Sequence, residues 1–280
     1  MKRSVALTFV SALLLASCKK GNVSEIFSSD DEAEEDSVEA FVGDTLHLFE
    51  EEAPPVAVDE LFDDFFFNFA SDSRFQKQRI RFPLACKDGA EVMKVSRQEW
   101  TQFNKFDTQD IFSVIYEKEQ DMDLQKDTAL TRVVVEWMYL EDEYVEKYNF
   151  KRLDGVWILM DMNKELIENV PNGDFLKFYS KFAADSVYQR EAISTPLKLV
   201  LTPQSEEEDE QVEELSIDQW FEMRTDLPLP KDALVNIDYG QSSSNPNSKT
   251  LLLEGVSNGF FMKFKFHKYG ENWKLTEVEY

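Results

Sequence analysis

Residues 69–84 (FASDSRFQKQRIRFPL) align without a gap to residues 182–197 (FAADSVYQREAISTPL), an offset of 113 positions. Eight of the 16 positions are identical, and Phe75/Tyr188 and Lys77/Arg190 are like-for-like replacements. Just upstream, Phe62, Phe65, Phe66 and Phe69 are answered by Phe175, Phe178, Tyr179 and Phe182. That spacing, i, i+3, i+4, i+7, lays each set of rings along one face of a helix. A repeat of this length means one structural plan executed twice, and it predicts two tandem homologous domains, 57–168 and 169–280. A hydrophobic fraction of 42%, with 23 Phe, is enough to fill two cores.

Each copy reads as helices followed by a curved antiparallel meander, an α+β plan. The first helix is predicted over 59–70. A second short helix is predicted to open on a capping box, Ser73 with Gln76 and Ser186 with Gln189, and Asp72 and Asp185 place negative charge at its N-terminus. Pro83 and Pro196 end that helix and lead into strands. Period-two alternation then marks strands at 111–117, 128–140, 143–152 and 156–162, and again at 234–239, 250–256, 260–268 and 272–280. Leu153-Asp154-Gly155 and Tyr269-Gly270-Glu271-Asn272 are the last hairpin turns. A further short helix with a Ser cap is predicted at 96–100 and 216–220. The acidic run 204–214 and the polar run 241–248 read as exposed strand connections.

The formal net charge is −25, which argues against nucleic acid, since phosphate binding needs clustered Lys and Arg. At the N-terminus, Lys2 and Arg3 precede an apolar run, and Leu15-Ala16-Ser17-Cys18 resembles the lipobox of bacterial lipoproteins. The resemblance implies a signal peptide, 1–17, cut before Cys18, which then carries the acyl chains of a membrane anchor. The expected location is the cell envelope, at the outer membrane. Residues 18–56 carry no Lys or Arg after Lys20 and many Asp and Glu, the composition of an acidic, disordered tether. Cys86 is the one other cysteine, so no intramolecular disulfide forms in the mature chain, and it reads as a small strand residue.

Helices followed by a long meander ending in aromatic-x-aromatic, Gly and Trp resemble the cone-shaped, cystatin-like fold of the nuclear-transport-factor-two-like superfamily. The resemblance rests on Phe62 to Phe69, Phe150 to Trp157 and Phe266 to Trp273. The stretch FDDFFFNFASDSRFQKQRIRFPL also resembles an uncharacterised family of lipid-anchored envelope proteins from Gram-negative anaerobes, known as a domain of unknown function. Both resemblances imply fold and compartment. Neither implies an activity, because this fold hosts enzymes, ligand carriers and structural modules.

No nucleophile–base pair, glycine-rich phosphate loop or metal-spaced His/Cys cluster occurs, so no catalytic residue, metal or cofactor is expected. His267 alternates with Lys263 and Lys265 on a strand and reads as part of a solvated basic face. In 131–139, Val133, Val135, Trp137 and Tyr139 share the core face. Arg132, Val134, Glu136 and Met138 share the other, as a pocket wall or domain interface would. Asp161 follows Trp157 and Leu159 at period two, which would put a buried carboxylate of raised pKa on their face, while a strand running out to a polar end is the commoner reading of the same residues. Arg132, Glu136, Met138, Trp157, Asp161 and Trp273 are therefore the candidate pocket or interface residues. The expected function is non-enzymatic binding of a small ligand or an envelope protein by a monomer with a pseudo-symmetric domain pair. The alternative is a cavity enzyme using Asp161 as general base.

Overall fold

The Phe stripe does what its spacing predicts. In the computed structural model, which describes residues 56–101, 110–203, 209–224, 229–243, 245–256 and 258–280, helix α1 (Phe62–Ser71) buries Phe62, Phe65, Phe66 and Phe69. Helix α3 (Gly173–Ala184) likewise buries Phe175, Phe178, Tyr179 and Phe182. The expected signal peptide, Cys18 and the expected tether up to residue 55 lie outside the described residues.

The second helices, α2 (Ser73–Gln78) and α4 (Ser186–Glu191), are capped one residue earlier than expected. Asp72 accepts from Arg74 N at 2.7 Å and Phe75 N at 3.3 Å, and Asp185 from Val187 N at 2.8 Å and Tyr188 N at 3.2 Å. Each Asp has extended backbone, the geometry an N-cap needs, and its charged oxygen is the stronger acceptor. Gln76 and Gln189 are thereby released from capping. They are fully buried and accept from the indoles of Trp100 (3.2 Å) and Trp220 (3.4 Å). Capping boxes occur instead at the tryptophan turns. Ser96 pairs reciprocally with Glu99, and Ser216 with Gln219 at the start of α5 (Ile217–Met223).

The described residues form twelve strands: β1 (Ile80–Asp88), β2 (Glu91–Val95), β3 (Ile111–Tyr116), β4 (Arg132–Tyr139), β5 (Tyr144–Leu153), β6 (Val156–Leu166), β7 (Ile193–Leu201), β8 (Gln211–Leu215), β9 (Ala233–Asp238), β10 (Ser248–Gly255), β11 (Phe261–Tyr269) and β12 (Asn272–Glu279). Pro83 and Pro196 lie inside β1 and β7, where the pairing to β6 and β12 breaks register, and not at helix ends. The end of the acidic run, Gln211–Leu215, is strand β8 and not loop, because it pairs with β7 as β2 pairs with β1.

All twelve form one curved sheet in the order β2-β1-β6-β5-β4-β9-β3-β10-β11-β12-β7-β8. Adding six to each label of one half gives the other half read backwards, so the order is palindromic. The expected meander of each half is broken at its first strand. Here β9 pairs antiparallel with β4, and β3 with β10, so each half supplies the strand that continues the other's sheet. At the centre β3 and β9 run parallel, Ser113 opposite Asn236. A two-fold relation between parallel neighbours has its axis along the strands, and it turns the sheet over.

The cores show the inversion. Successive strand residues point to opposite faces. Val114, Tyr116 and Leu252 belong to the core under α1, while Ile115, Leu251 and Leu253 belong to the core under α3. The α1 core also takes Val235, Ile237 and Tyr239 from the second half, and the α3 core takes Met138, Leu140 and Val145 from the first.

Candidate functional site

Helix α1 packs unevenly on the sheet. Phe62, Phe65 and Phe69 meet Phe150 with ring centroids 5.2–5.7 Å apart. On the flank facing β3, β9 and β10 the helix stands away, and a cleft of about 600 Å³ opens. Its apolar wall is Phe66, Phe112, Val114 and Ile237, with Phe67 half-exposed at the mouth. Three carboxylates enter it: Asp63 and Asp64 from the first turn of α1, where the helix dipole suits them, and Glu254 from the end of β10. No lysine or arginine is among the described lining residues.

Asp63 accepts a hydrogen bond from the Tyr239 hydroxyl. Asp63 keeps solvent contact at the cleft mouth, and the protein packed around it pushes its carboxyl up to about 6, against the pull of that bond, with Glu254 and Asp64 adding repulsion. Burial and the Asp63 charge together hold the Tyr239 phenol well above its ordinary range. Glu254 is also raised by burial, with a hydrogen bond from Gln125 and the nearby Lys126 charge opposing. An apolar wall ending in carboxylates held by neutral donors can take a small amphipathic molecule, and it can also move a proton at Asp63.

The pseudo-symmetric counterpart is closed. Helix alignment puts Leu176, Lys177 and Lys181 where α1 has Asp63, Asp64 and Asn68, and strand register puts Met138 at the place of Glu254. Leu176 and Met138 are fully buried in the α3 core. What remains of the space is two remnants of about 120 and 150 Å³. The larger is crossed by a buried ion pair, Lys249 Nζ to Glu117 Oε1 at 2.6 Å, whose lysine also donates to Asn172.

The residues singled out from sequence do not converge on one place. Trp157 and Trp273 are core, packed on Phe62 and Phe175 at 5.0 and 5.4 Å. Met138 is core as well, on the face of β4 opposite Trp137. Arg132 and Asp161 line an open polar groove on the outer side of β5 and β6. Of the two readings of Asp161, the shared face with Trp157 and Leu159 is ruled out by a β-bulge. Phe150 pairs with Leu159 but Asn149 with Asp161, so Met160 is an extra residue and the alternation inverts after it. Thr276 is the matching extra residue in β12. Asp161 accepts from Asn149 at 3.0 Å and lies 3.8 Å from Lys87. His267 sits beside Tyr269 on β11, and its neighbours Lys263 and Lys265 pair with Glu279 and Glu277 at 2.7 Å.

Glu136 is buried between β4 and β9. It accepts from Asn236 at 2.9 Å, while Lys147 stands 3.8 Å away and prefers Glu165 at 2.8 Å. Burial and the Asp238 charge raise its carboxyl from 4.5 to about 7. A carboxyl raised in the folded state binds its proton more tightly there than when unfolded. Its stabilising contribution is therefore full below about 4.5 and is lost as the pH rises through about 7. Glu136→Gln is expected to be more stable than the parent at pH 8, by on the order of 2–3 kcal/mol, and to converge with it at pH 5. Denaturant titrations at the two pH values check this.

Asp63, Tyr239 and Glu254 are invisible to motif reading. The signal that finds them is disagreement between the repeats, since Asp63 is acidic at a position where its counterpart Leu176 is core.

The sequence model of a family described as a domain of unknown function, DUF4348, matches residues 43–280. A crystal structure of an NTF2-like protein from Bacteroides fragilis NCTC 9343 superposes with a TM-score of 0.74 at 38% identity, covering 81% of this chain and 98% of that one. No curated protein matches.

Proposed function

The chain belongs to the DUF4348 family, and on that footing we propose that it is a lipid-anchored, non-enzymatic envelope protein that binds a small molecule in the α1 cleft. Two NTF2-like units fused in tandem, 57–168 and 169–280, act as a pseudo-dimer in one chain. The first unit keeps its cone open for a ligand, and the second packs its cone for stability. The anchor is Cys18, and the acidic tether 18–56 holds the folded part away from the membrane surface. Because each half already completes the other's sheet, the protein works as a monomer.

The observation that carries this reading is the asymmetry. One fold plan, repeated, leaves about 600 Å³ beside α1 and only remnants of 120 and 150 Å³ beside α3. Packing pressure closes a cavity that has no use, since each unfilled volume costs stability. The test is binding of the neutral apolar dye N-phenyl-1-naphthylamine. One molecule per chain is expected, and Ser71→Trp, an exposed position on the cleft rim, should weaken it at least tenfold. Equal binding to the variant would sink the assignment.

A second reading has its own support. Asp63, raised to about 6 and touching Tyr239, has the properties of a general base at the mouth of a cleft with an apolar wall. The enzyme alternative accordingly moves from Asp161, which lies on the polar face of the sheet, to Asp63. Recovery of a ligand chemically unchanged after prolonged incubation with the protein favours the carrier over the enzyme.

A further inference from the structure

We propose that the α1 cleft selects amphiphiles with a protonated amine head, the apolar body lying on Phe66, Phe112 and Ile237 and the ammonium group meeting Asp63 and Glu254. This rests on the cleft being a ligand site, and it adds the chemical class.

Three carboxylates that this protein takes out of water are held by a cation. Asp59 is held by Arg79 through two bonds of 2.9 Å, Glu117 by Lys249 at 2.6 Å and Glu279 by Lys263 at 2.7 Å. Burying a carboxylate is costly without such a partner. Asp63, exposed at the cleft mouth, and half-buried Glu254 are placed differently: the hydrogen bonds described for them come from the neutral donors Tyr239 and Gln125, and the charges of Lys126 and Lys263 reach Glu254 without a described ion pair. Asp64 adds a third negative charge at the same mouth. An ammonium group supplies a direct charge partner for these carboxylates, at the end of an apolar wall that accepts the rest of the molecule.

The fold does not impose this sign of charge. The corresponding positions on α3 are Leu176, Lys177 and Lys181, so the same scaffold carries a basic rim over a filled cone in one half and an acidic rim over an open one in the other. A metal ion is a poorer candidate. Among the described residues no group of three His, Cys, Asp or Glu side chains is placed to hold one. The apolar wall would also have no role in holding it.

The experiment uses residues 52–280, the compact unit that contains the whole sheet and both cores. Calorimetric titrations compare decylammonium, decanol and decyl sulfate below their micelle concentrations. Decylammonium is expected to bind at least tenfold more tightly than decanol, with decyl sulfate weakest. Asp63→Asn/Glu254→Gln should reduce that preference to about threefold or less. Asp88→Asn/Glu91→Gln, an equal change of charge on the exposed β1–β2 turn, should leave it intact. In the unmutated unit the preference should also shrink from pH 7.5 to pH 5 as Asp63, facing Tyr239, Glu254 and Asp64, takes up its proton. That arm does not depend on a variant folding. Equal binding of the three heads would overturn the charge class and leave the cleft as a ligand site. Binding of none would overturn both. A preference that persists in Asp63→Asn/Glu254→Gln would overturn the proposal in favour of diffuse attraction to the unit's overall negative charge.

Discussion

Phe150→Ala lowers the stability of the entire folded unit by about 3–5 kcal/mol, in a single transition, and Phe266→Ala does the same. Phe150 is fully buried and meets Phe62, Phe65, Phe66 and Phe69, with centroids 5.2–6.0 Å away. Phe266 stands in the same relation to Phe175, Phe178, Tyr179 and Phe182 at 5.3–6.5 Å. Either truncation leaves a cavity that four rings on a helix cannot close without losing their contacts with the sheet. The single transition follows from the strand exchange. Unfolding the second half would strip β9 from β4 and remove Val235, Ile237 and Tyr239 from the α1 core. Unfolding the first would strip β3 from β10 and remove Met138 and Leu140 from the α3 core. Neither half has a complete core without the other. Denaturant curves followed by tryptophan fluorescence and by circular dichroism should coincide, before and after mutation. Two separate transitions, with the variant moving only one, would refute the shared-core account.

Asp59→Ala is expected to cost about 3–5 kcal/mol, an effect of similar size from a different cause. The carboxylate of Asp59 accepts from both terminal nitrogens of Arg79 at 2.9 Å and from the backbone nitrogen of Trp157 at 3.0 Å. Removing it leaves a guanidinium that is itself buried, with side-chain exposure of 8%, and an orphaned N–H at the start of β6. The Arg79 plane lies 4.7 Å from the Phe75 ring, so it cannot swing to water without breaking that contact too. Asp59→Leu/Arg79→Met, which removes both charges, should recover much of the loss. If the single and double variants are equally destabilised, the loss comes from shape and not from an unpaired charge. The second half has no such pair, because the corresponding positions are Asn172 and Ala192. Its charged staple is Lys249–Glu117, placed elsewhere.

Much of this architecture can be read from local pattern. The four-ring stripe on α1 and α3, the alternation of β4, and the Asp154-Gly155 turn with both residues at positive φ are set by residues close in sequence. The exchange of β3 and β9 is not local. Both strands carry apolar side chains on both faces, so each can pair with its own half or with the other, and the choice is settled by what the opposite face must bury. Asp161 shows a second limit. Counting by twos from Trp157 puts it inside, and the extra residue Met160 puts it outside, although nothing in the sequence marks the bulge. The capping residue escaped for a related reason, since Asp72 and Ser73 are both good caps and only the backbone of Asp72 is extended.

The candidate site was legible in one respect. Residues that repeat serve the common fold, as the Asp72/Asp185 caps and the Gln76/Gln189 bridges do. Residues that differ in polarity at corresponding positions show where the halves have parted in role. Asp63 against Leu176 and Glu254 against Met138 are such positions, and both fall in the α1 cleft. Tyr239 needed the structure, because its counterpart is found only through the exchanged strands.

The measurement that tests the account most directly is native mass spectrometry of residues 52–280 after incubation with an envelope extract of the source cells, beside the Ser71→Trp variant. The account predicts an adduct of small-molecule mass on the unmutated protein, one per chain, and none on the variant. An adduct of equal occupancy on both, or none on either, would contradict the assignment of the α1 cleft as the working site.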